Sequence, residues 1–154
     1  MKTAQQWFDE YAVSHQNSTN QFIHFLCVPA IFFSVIGLLI SIPTSSLENI
    51  FGFFPLLENW ATVISIFILF FYLRLGFWYF IQMLFFICIS IIGNFFLGSI
   101  INLLYVSLII FTIAWIVQFY GHHIEGKKPS FAKDLQFLLI GPLLVVKKIS
   151  LKNK

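Results

Sequence analysis

Four histidines are the residues of this chain best suited to chemistry, because neutral imidazole is a common protein ligand for iron, zinc and copper. His15 and His24 lie near the N-terminus, and His122 and His123 stand side by side late in the chain. Four histidines and the nearby Glu125 support at most a mononuclear metal centre. Histidines near the polar ends of apolar helices also occur without any ligand, so the residue types alone leave both interpretations open.

The spacing of the first histidine pair requires a break in the helix between its members. On one continuous helix, His15 and His24 are nine residues apart and point to opposite sides. The intervening Asn17-Ser18-Thr19-Asn20 segment is typical of a turn that caps a following helix. Such a turn allows both imidazoles to face one point.

In the second pair, His122 is well placed to ligate a metal and His123 is less well placed. His122 and Glu125 are three residues apart and share a face of any helix that continues past Gly121. His123 points about 100° away from His122 on such a helix, so joint ligation of one ion needs favourable backbone geometry. His122, His123 and Glu125 all remain candidates.

The composition indicates that these residues belong to an integral membrane protein. Of the 154 residues, 59% are hydrophobic and 10% are charged, whereas a soluble domain carries about 25% charged residues. No charged residue occurs between Leu75 and Ile124. The chain has no glycine-rich phosphate loop, GxSxG elbow or HExxH motif. The lack of an acid or base in mid-span argues against a proton-coupled transporter.

We expect an all-α, polytopic membrane protein that forms a single integral membrane domain over residues 1–154. A transmembrane helix needs about 20 apolar residues, which predicts four spans with a break between the last two at Gly93-Asn94. An N-terminal amphipathic helix and a C-terminal interfacial or re-entrant helix complete the expected fold. The predicted spans are residues 21–42, 60–73, 76–92 and 95–119, and the predicted surface helices are residues 3–14 and 131–146.

The lysines give the orientation of these helices. Seven of the nine cations lie between Lys127 and Lys154, and the positive-inside rule puts this tail and both termini in the cytoplasm. Lysines that flank apolar segments set topology and contact anionic lipid headgroups, so the net charge of +3 does not indicate nucleic-acid binding. With this topology all four histidines lie in one layer at the cytoplasmic face.

Two segments together resemble a known membrane family. The first resembles a Y-x3-H-x4-N-x3-H-x4-P signature, which falls on Tyr11, His15, Asn20, His24 and Pro29. The second runs from Gln118 and resembles a Q-F-x-G-H…E-G-x-x-P signature, which falls on Gly121, His122, Glu125 and Pro129. These signatures are similar to those of the membrane-bound 2-hydroxy fatty acid dioxygenases, whose fungal members act in phytosphingosine breakdown in the endoplasmic reticulum.

The resemblance implies an Fe(II)-dependent α-oxidation, in which O2 cleaves the C1–C2 bond and leaves a fatty acid one carbon shorter. It implies that His15, His24 and His122 hold Fe2+, with His123 or Glu125 as a fourth ligand or a supporting partner. Glu125 is also, with Tyr11 and Asn20, an expected catalytic residue. Tyr11 or Asn20 would hydrogen-bond the substrate headgroup or orient a histidine.

The alternative to an enzyme is a small non-enzymatic membrane protein. A scaffold, or a lipid-binding or transport module, would need the histidines only as interface residues. For the enzyme, the expected partners are a long-chain 2-hydroxy fatty acid, O2 and membrane lipid. The compact chain without sorting elements favours a bacterial inner membrane, or the endoplasmic reticulum for a eukaryotic source.

Overall fold

The structure is a computed structural model that describes residues 3–44 and 56–126, and every regular element in these ranges is an α-helix. The predicted all-α class is thereby confirmed. Three of the five helices are long and apolar enough to cross a membrane, namely α2, α4 and α5, and α3 is a shorter apolar helix. The helices are α1 (Ala4–Ser14), α2 (Ser18–Ile40), α3 (Trp60–Leu75), α4 (Phe77–Ile100) and α5 (Leu103–Glu125).

The short N-terminal helix begins at a capping box. The Thr3 side chain accepts a hydrogen bond from the backbone N–H of Gln6, and the Gln6 side chain accepts one from the backbone N–H of Thr3. Reciprocal bonds of this kind satisfy two donors that a helix start otherwise leaves without partners. Phe8 is buried while Gln5, Asp9 and Glu10 are exposed, so α1 has the amphipathic character expected for residues 3–14.

The polar turn after α1 starts the first long helix. The side-chain oxygen of Asn17 accepts hydrogen bonds from the backbone N–H groups of Thr19 and Asn20, at 2.9 and 3.3 Å. This is the N-cap geometry that the Asn-Ser-Thr-Asn segment predicts. The helix therefore begins at Ser18, three residues before the expected start of the span, and it continues through Pro29 to Ile40.

The predicted break at Gly93-Asn94 is wrong, because α4 continues through both residues to Ile100. Asn94 donates from its side-chain amide to the carbonyl of Ser90 in its own helix, at 2.8 Å, so its polar group is satisfied without ending the helix. The chain turns later, at Ile101 and Asn102, where the Asn102 side chain accepts a hydrogen bond from the N–H of Tyr105. A helix in an apolar medium continues wherever its backbone bonds can be kept, and it ends where a cap replaces them.

The chain divides into two compact units, one within Met1–Ile31 and Thr112–Lys154 and the other within Phe32–Phe111. In the second unit α3 packs against α4, and the two helices meet at Gly76, whose φ of 146° favours glycine. The predicted C-terminal helix at residues 131–146 and the lysine-rich tail lie outside the described residues. The candidate site lies in the first unit.

The second unit has a polar interior close to the ends of its long helices. The Asn94 side chain is buried and donates a second hydrogen bond, at 3.0 Å, to the backbone carbonyl of Phe33 in α2. A side chain at Gly37 would collide with Asn94 and with Ser107 of α5. Small residues that allow close backbone approach, together with interhelical hydrogen bonds, are typical of helix packing in membranes.

Candidate metal centre

Three of the four histidines come together inside the first unit. His15 is the C-cap residue that follows α1, His24 lies in the second turn of α2, and His122 lies in the last turn of α5. Their side chains are buried, with exposed fractions of 3%, 2% and 3%, and their ligand atoms all lie within 4.8 Å of one another. We call these three residues the histidine cluster. One member caps α1 and the other two lie in α2 and α5.

Two of these imidazoles are oriented by their own helices. Nδ1 of His15 lies 2.9 Å from the carbonyl oxygen of Tyr11, and Nδ1 of His24 lies 3.0 Å from that of Asn20. A carbonyl oxygen only accepts, so in each ring the proton is assigned to Nδ1 and the lone pair to Nε2. Nε2 is therefore the nitrogen that each ring offers to a metal, and the backbone bond fixes the ring orientation as metal-ligating histidines usually require.

The rings are packed edge to face rather than splayed apart. The His24 ring centroid lies 4.3 Å from that of His15 and 4.8 Å from that of His122, with interplanar angles of 80° in both cases. The centroids of His15 and His122 are 5.4 Å apart. Tyr11 closes the other side of His15 by stacking on it, at 3.8 Å and 7°. Tyr11 thus contacts the cluster through the face of its ring.

The close approach of α5 to the start of α2 depends on Gly121. A Cβ atom at this position would lie 2.5 Å from the side-chain oxygen of Asn20 and 3.2 Å from a methyl group of Ile23. Both distances are shorter than normal van der Waals contact, so any larger residue would require the side chains of Asn20 and Ile23 to move. Because His122 is the next residue, this contact brings its imidazole beside His24.

Glu125 fastens the end of α5 to the linker between α1 and α2. One carboxylate oxygen accepts a hydrogen bond from the backbone N–H of Gln16 at 2.8 Å, and the other accepts from the N–H of Asn17 at 2.9 Å. The second oxygen also accepts from the side-chain amide of Asn20 at 3.1 Å. The acid therefore occupies the N-terminal end of α2, where a negative charge is stabilised, and holds the linker that separates His15 from His24.

The other predicted site residues that the structure describes lie outside the histidine cluster. His123 is exposed, and among the described residues neither it nor Glu125 belongs to the group whose ligand atoms come together. Asn20 is fully buried but contacts Glu125 and Gly121 instead. The spacing of His122 and Glu125 predicted that they share a helix face. The hydrogen bonds of Glu125 join it to a linker more than a hundred residues away, so local spacing could not predict them.

The histidine cluster fits a mononuclear divalent metal ion. Nitrogen ligands about 2.0–2.1 Å from one ion lie about 3–4 Å from one another, so nitrogens that already lie within 4.8 Å need only small shifts. Three neutral imidazoles leave coordination positions open, which distinguishes catalytic from structural sites. Imidazole suits iron, zinc and copper alike, so the donor set by itself does not select one of these ions.

Comparison with known proteins identifies the family. A family model described as "2-hydroxy-palmitic acid dioxygenase Mpo1-like" matches residues 1–153, which is nearly the whole chain. No curated protein and no solved structure matches the chain. The match includes both segments that carry the histidine cluster and agrees with the resemblance stated from the two motifs. The chain therefore belongs to the Mpo1-like family.

Proposed function

We propose that this protein is a non-haem iron dioxygenase that shortens long-chain 2-hydroxy fatty acids by one carbon. The observation that carries the proposal is the buried cluster of His15, His24 and His122, whose nitrogens are close enough to share one ion. The description of the family supplies the substrate class and the reaction type. Fe(II) is proposed because activation of O2 by a metal needs a redox-active ion, which zinc is not, and because the family resemblance implies iron.

The overall reaction balances without a further reductant. A 2-hydroxy acid and O2 give the acid one carbon shorter, one CO2 and one water. The C1–C2 bond breaks, C1 leaves as CO2, and C2 is oxidised to the carboxyl carbon of the product. Bound iron would supply the activation of O2, and the protein's own residues would hold the iron, orient the substrate and keep bulk water away. The burial of all three histidines supports the last of these roles.

The surroundings of the cluster suit a substrate with a long acyl chain. His24 and His122 both lie on helices that are long and apolar enough to cross a membrane. The outward faces of these helices carry large exposed apolar side chains such as Phe22 and Ile116, which favour contact with lipid. An acyl chain in the bilayer would then have its carboxylate end at the cluster. We propose that both termini are cytoplasmic, in a bacterial inner membrane.

The other predicted catalytic residues receive supporting roles in this proposal. Tyr11 packs on the imidazole of His15 and limits its rotation. Asn20 orients His24 through its backbone carbonyl and binds Glu125 through its side chain. Glu125 holds the linker between the first two histidines. All three are therefore proposed as positioning residues, and the iron ligands are His15, His24 and His122.

Product analysis tests the proposal directly. Detergent-purified protein loaded anaerobically with Fe(II) is given 2-hydroxypalmitate and O2, and the products are identified by mass spectrometry. We expect pentadecanoate and CO2 in equal amounts, with one O2 consumed for each, and no product from the His24→Ala variant. Binding of 2-hydroxypalmitate without O2 uptake would contradict the enzyme and favour the lipid-binding module. Equal turnover by His24→Ala would contradict the assignment of the site.

A further inference from the structure

Gln118 is a buried polar residue of α5, four residues before His122, and it has no role in the function proposed above. It lies in α5, one helical turn before His122, and 3% of its side chain is exposed. Its side-chain oxygen Oε1 is buried and has no hydrogen-bond partner within the part of the chain that the structure describes. A buried acceptor without a partner is costly in any protein, and more so in an apolar helix that water does not reach.

Gln118 lies on the same face of α5 as His122, on the side of the apolar part of the helix. Residues four apart on a helix share a face, with Cβ atoms about 5–6 Å apart. Long side chains of a helix lean toward its N-terminus, so the imidazole of His122 covers the turn that contains Gln118. The other buried residues of this face in the first unit are Ala114, Trp115 and Gly121. Along this buried face, Gln118 is therefore the polar residue that comes next to His122 in the direction of the apolar middle of α5.

The chemistry of Oε1 restricts what can occupy this place. It accepts hydrogen bonds and does not donate them, so its partner must carry an O–H or N–H group. The ionised carboxylate of a fatty acid has no such hydrogen, and neither does the acyl chain. The 2-hydroxyl group is the one donor in a 2-hydroxy acid, and it stands at the junction between the polar end and the apolar chain.

We infer that Oε1 of Gln118 accepts a hydrogen bond from the 2-hydroxyl group of the substrate and selects hydroxylated over plain fatty acids. The inference rests on the proposed function, since it needs the carboxylate end of the substrate at the histidine cluster. A plain fatty acid of the same length would leave the buried oxygen without a partner. A site built to bond a hydroxyl group rejects the analogue that lacks it for this reason.

The test is a binding comparison in the absence of O2, so that it does not depend on turnover. Metal-loaded protein binds a fluorescent fatty acid, which 2-hydroxypalmitate or palmitate then displaces. Gln118→Met keeps the size of the side chain and removes the acceptor. We expect the preference for 2-hydroxypalmitate to fall about tenfold, with unchanged affinity for palmitate and unchanged metal content. An unchanged preference, or an equal loss for both acids, would overturn the inference.

A change on the ligand provides the second arm of the test. 2-Methoxypalmitate keeps the oxygen at C2 and lacks its hydrogen, so it should bind the wild type about tenfold more weakly than 2-hydroxypalmitate does. In Gln118→Met this difference should vanish, whereas Gln118→Glu, which keeps an acceptor oxygen, should retain it. If Gln118→Met does not fold, a wild-type protein that binds both acids equally overturns the inference on its own. A wild type that shows the preference but releases no pentadecanoate would instead refute the proposed function.

Discussion

Asn20 and Glu125 are joined by a hydrogen bond of 3.1 Å between the side-chain amide of the first and a carboxylate oxygen of the second. The same carboxylate also accepts from the backbone N–H groups of Gln16 and Asn17. These three bonds tie the last turn of α5 to the linker that separates α1 from α2 and to the first turn of α2. His15 precedes the linker, His24 follows it, and His122 lies in the turn of α5 that carries Glu125. The relative positions of the three histidines therefore depend on these bonds.

We expect Glu125→Gln to weaken metal binding without abolishing it. The amide keeps one acceptor oxygen, but its NH2 group would face a backbone N–H, so one of the linker bonds is lost. Loss of a partner that supports a metal ligand typically costs about 10–100-fold in affinity, and we expect the lower end of this range. Competition with a metal-binding dye measures the affinity, and Glu58→Gln, in the second unit, serves as the matched control. Equal affinities for wild type and Glu125→Gln would contradict the positioning role.

Replacement of Gly121 should disturb the cluster by displacing the side chains of Asn20 and Ile23, which lie against it in α2. In Gly121→Ala the new methyl group would lie 2.5 Å from the side-chain oxygen of Asn20. Overpacking of this kind typically costs about 1–3 kcal/mol of folding free energy, and we also expect weaker metal binding. Gly98→Ala is the control, since its Cβ atom would meet its nearest neighbour at 3.5 Å, an ordinary contact. Thermal unfolding in detergent that ranks the two variants in the opposite order would argue against the close contact.

Tyr11 can act through its ring or through its hydroxyl group, and two variants separate these roles. The ring stacks on His15 at 3.8 Å, and an aromatic pair contributes about 0.5–1.5 kcal/mol beyond burial alone. Tyr11→Phe should therefore keep metal affinity and pentadecanoate formation near wild-type values, while Tyr11→Leu should weaken metal binding several-fold. A large loss of turnover in Tyr11→Phe with full metal content would instead make the hydroxyl group catalytic.

Asn94 should contribute to the stability of the second unit and not to the metal site. Its side-chain amide bonds the carbonyl of Phe33 in α2, and interhelical hydrogen bonds in membranes contribute about 0.6 kcal/mol on average and up to about 1.7. We expect Asn94→Ala to lower the unfolding temperature while the metal content stays at the wild-type level. Loss of metal at temperatures where Asn94→Ala is still folded would show that this bond also supports the cluster.

Local features of the fold could be predicted from the sequence, and specific long-range hydrogen bonds could not. The Asn17 cap, the amphipathic α1 and the turn that separates His15 from His24 all follow from spacing and residue type within a few positions. The error at Gly93-Asn94 arose because glycine and asparagine usually mark turns, whereas within α4 Asn94 bonds Ser90 of its own helix and Phe33 of α2.

In the candidate site, the meeting of the three histidines was predicted and the hydrogen bonds of Glu125 were not. The proximity of His15, His24 and His122 was expected from topology and from the family motifs, and the structure brings these three residues together. The separation of His122 from His123 reflects the 100° step between neighbours on a helix, which buries the first and exposes the second. The linker bonds of Glu125 join residues far apart in sequence, and only tertiary packing creates them.

The iron content of histidine variants tests the central claim most directly. After anaerobic loading with Fe(II) and removal of loosely bound metal, the wild type and His123→Ala should each hold about one iron per chain, because His123 lies outside the cluster. His15→Ala, His24→Ala and His122→Ala should each hold less than about a tenth of that amount while remaining folded, as judged by helical circular dichroism. Full iron content in any of these three variants, or its loss in His123→Ala, would contradict the proposed metal centre.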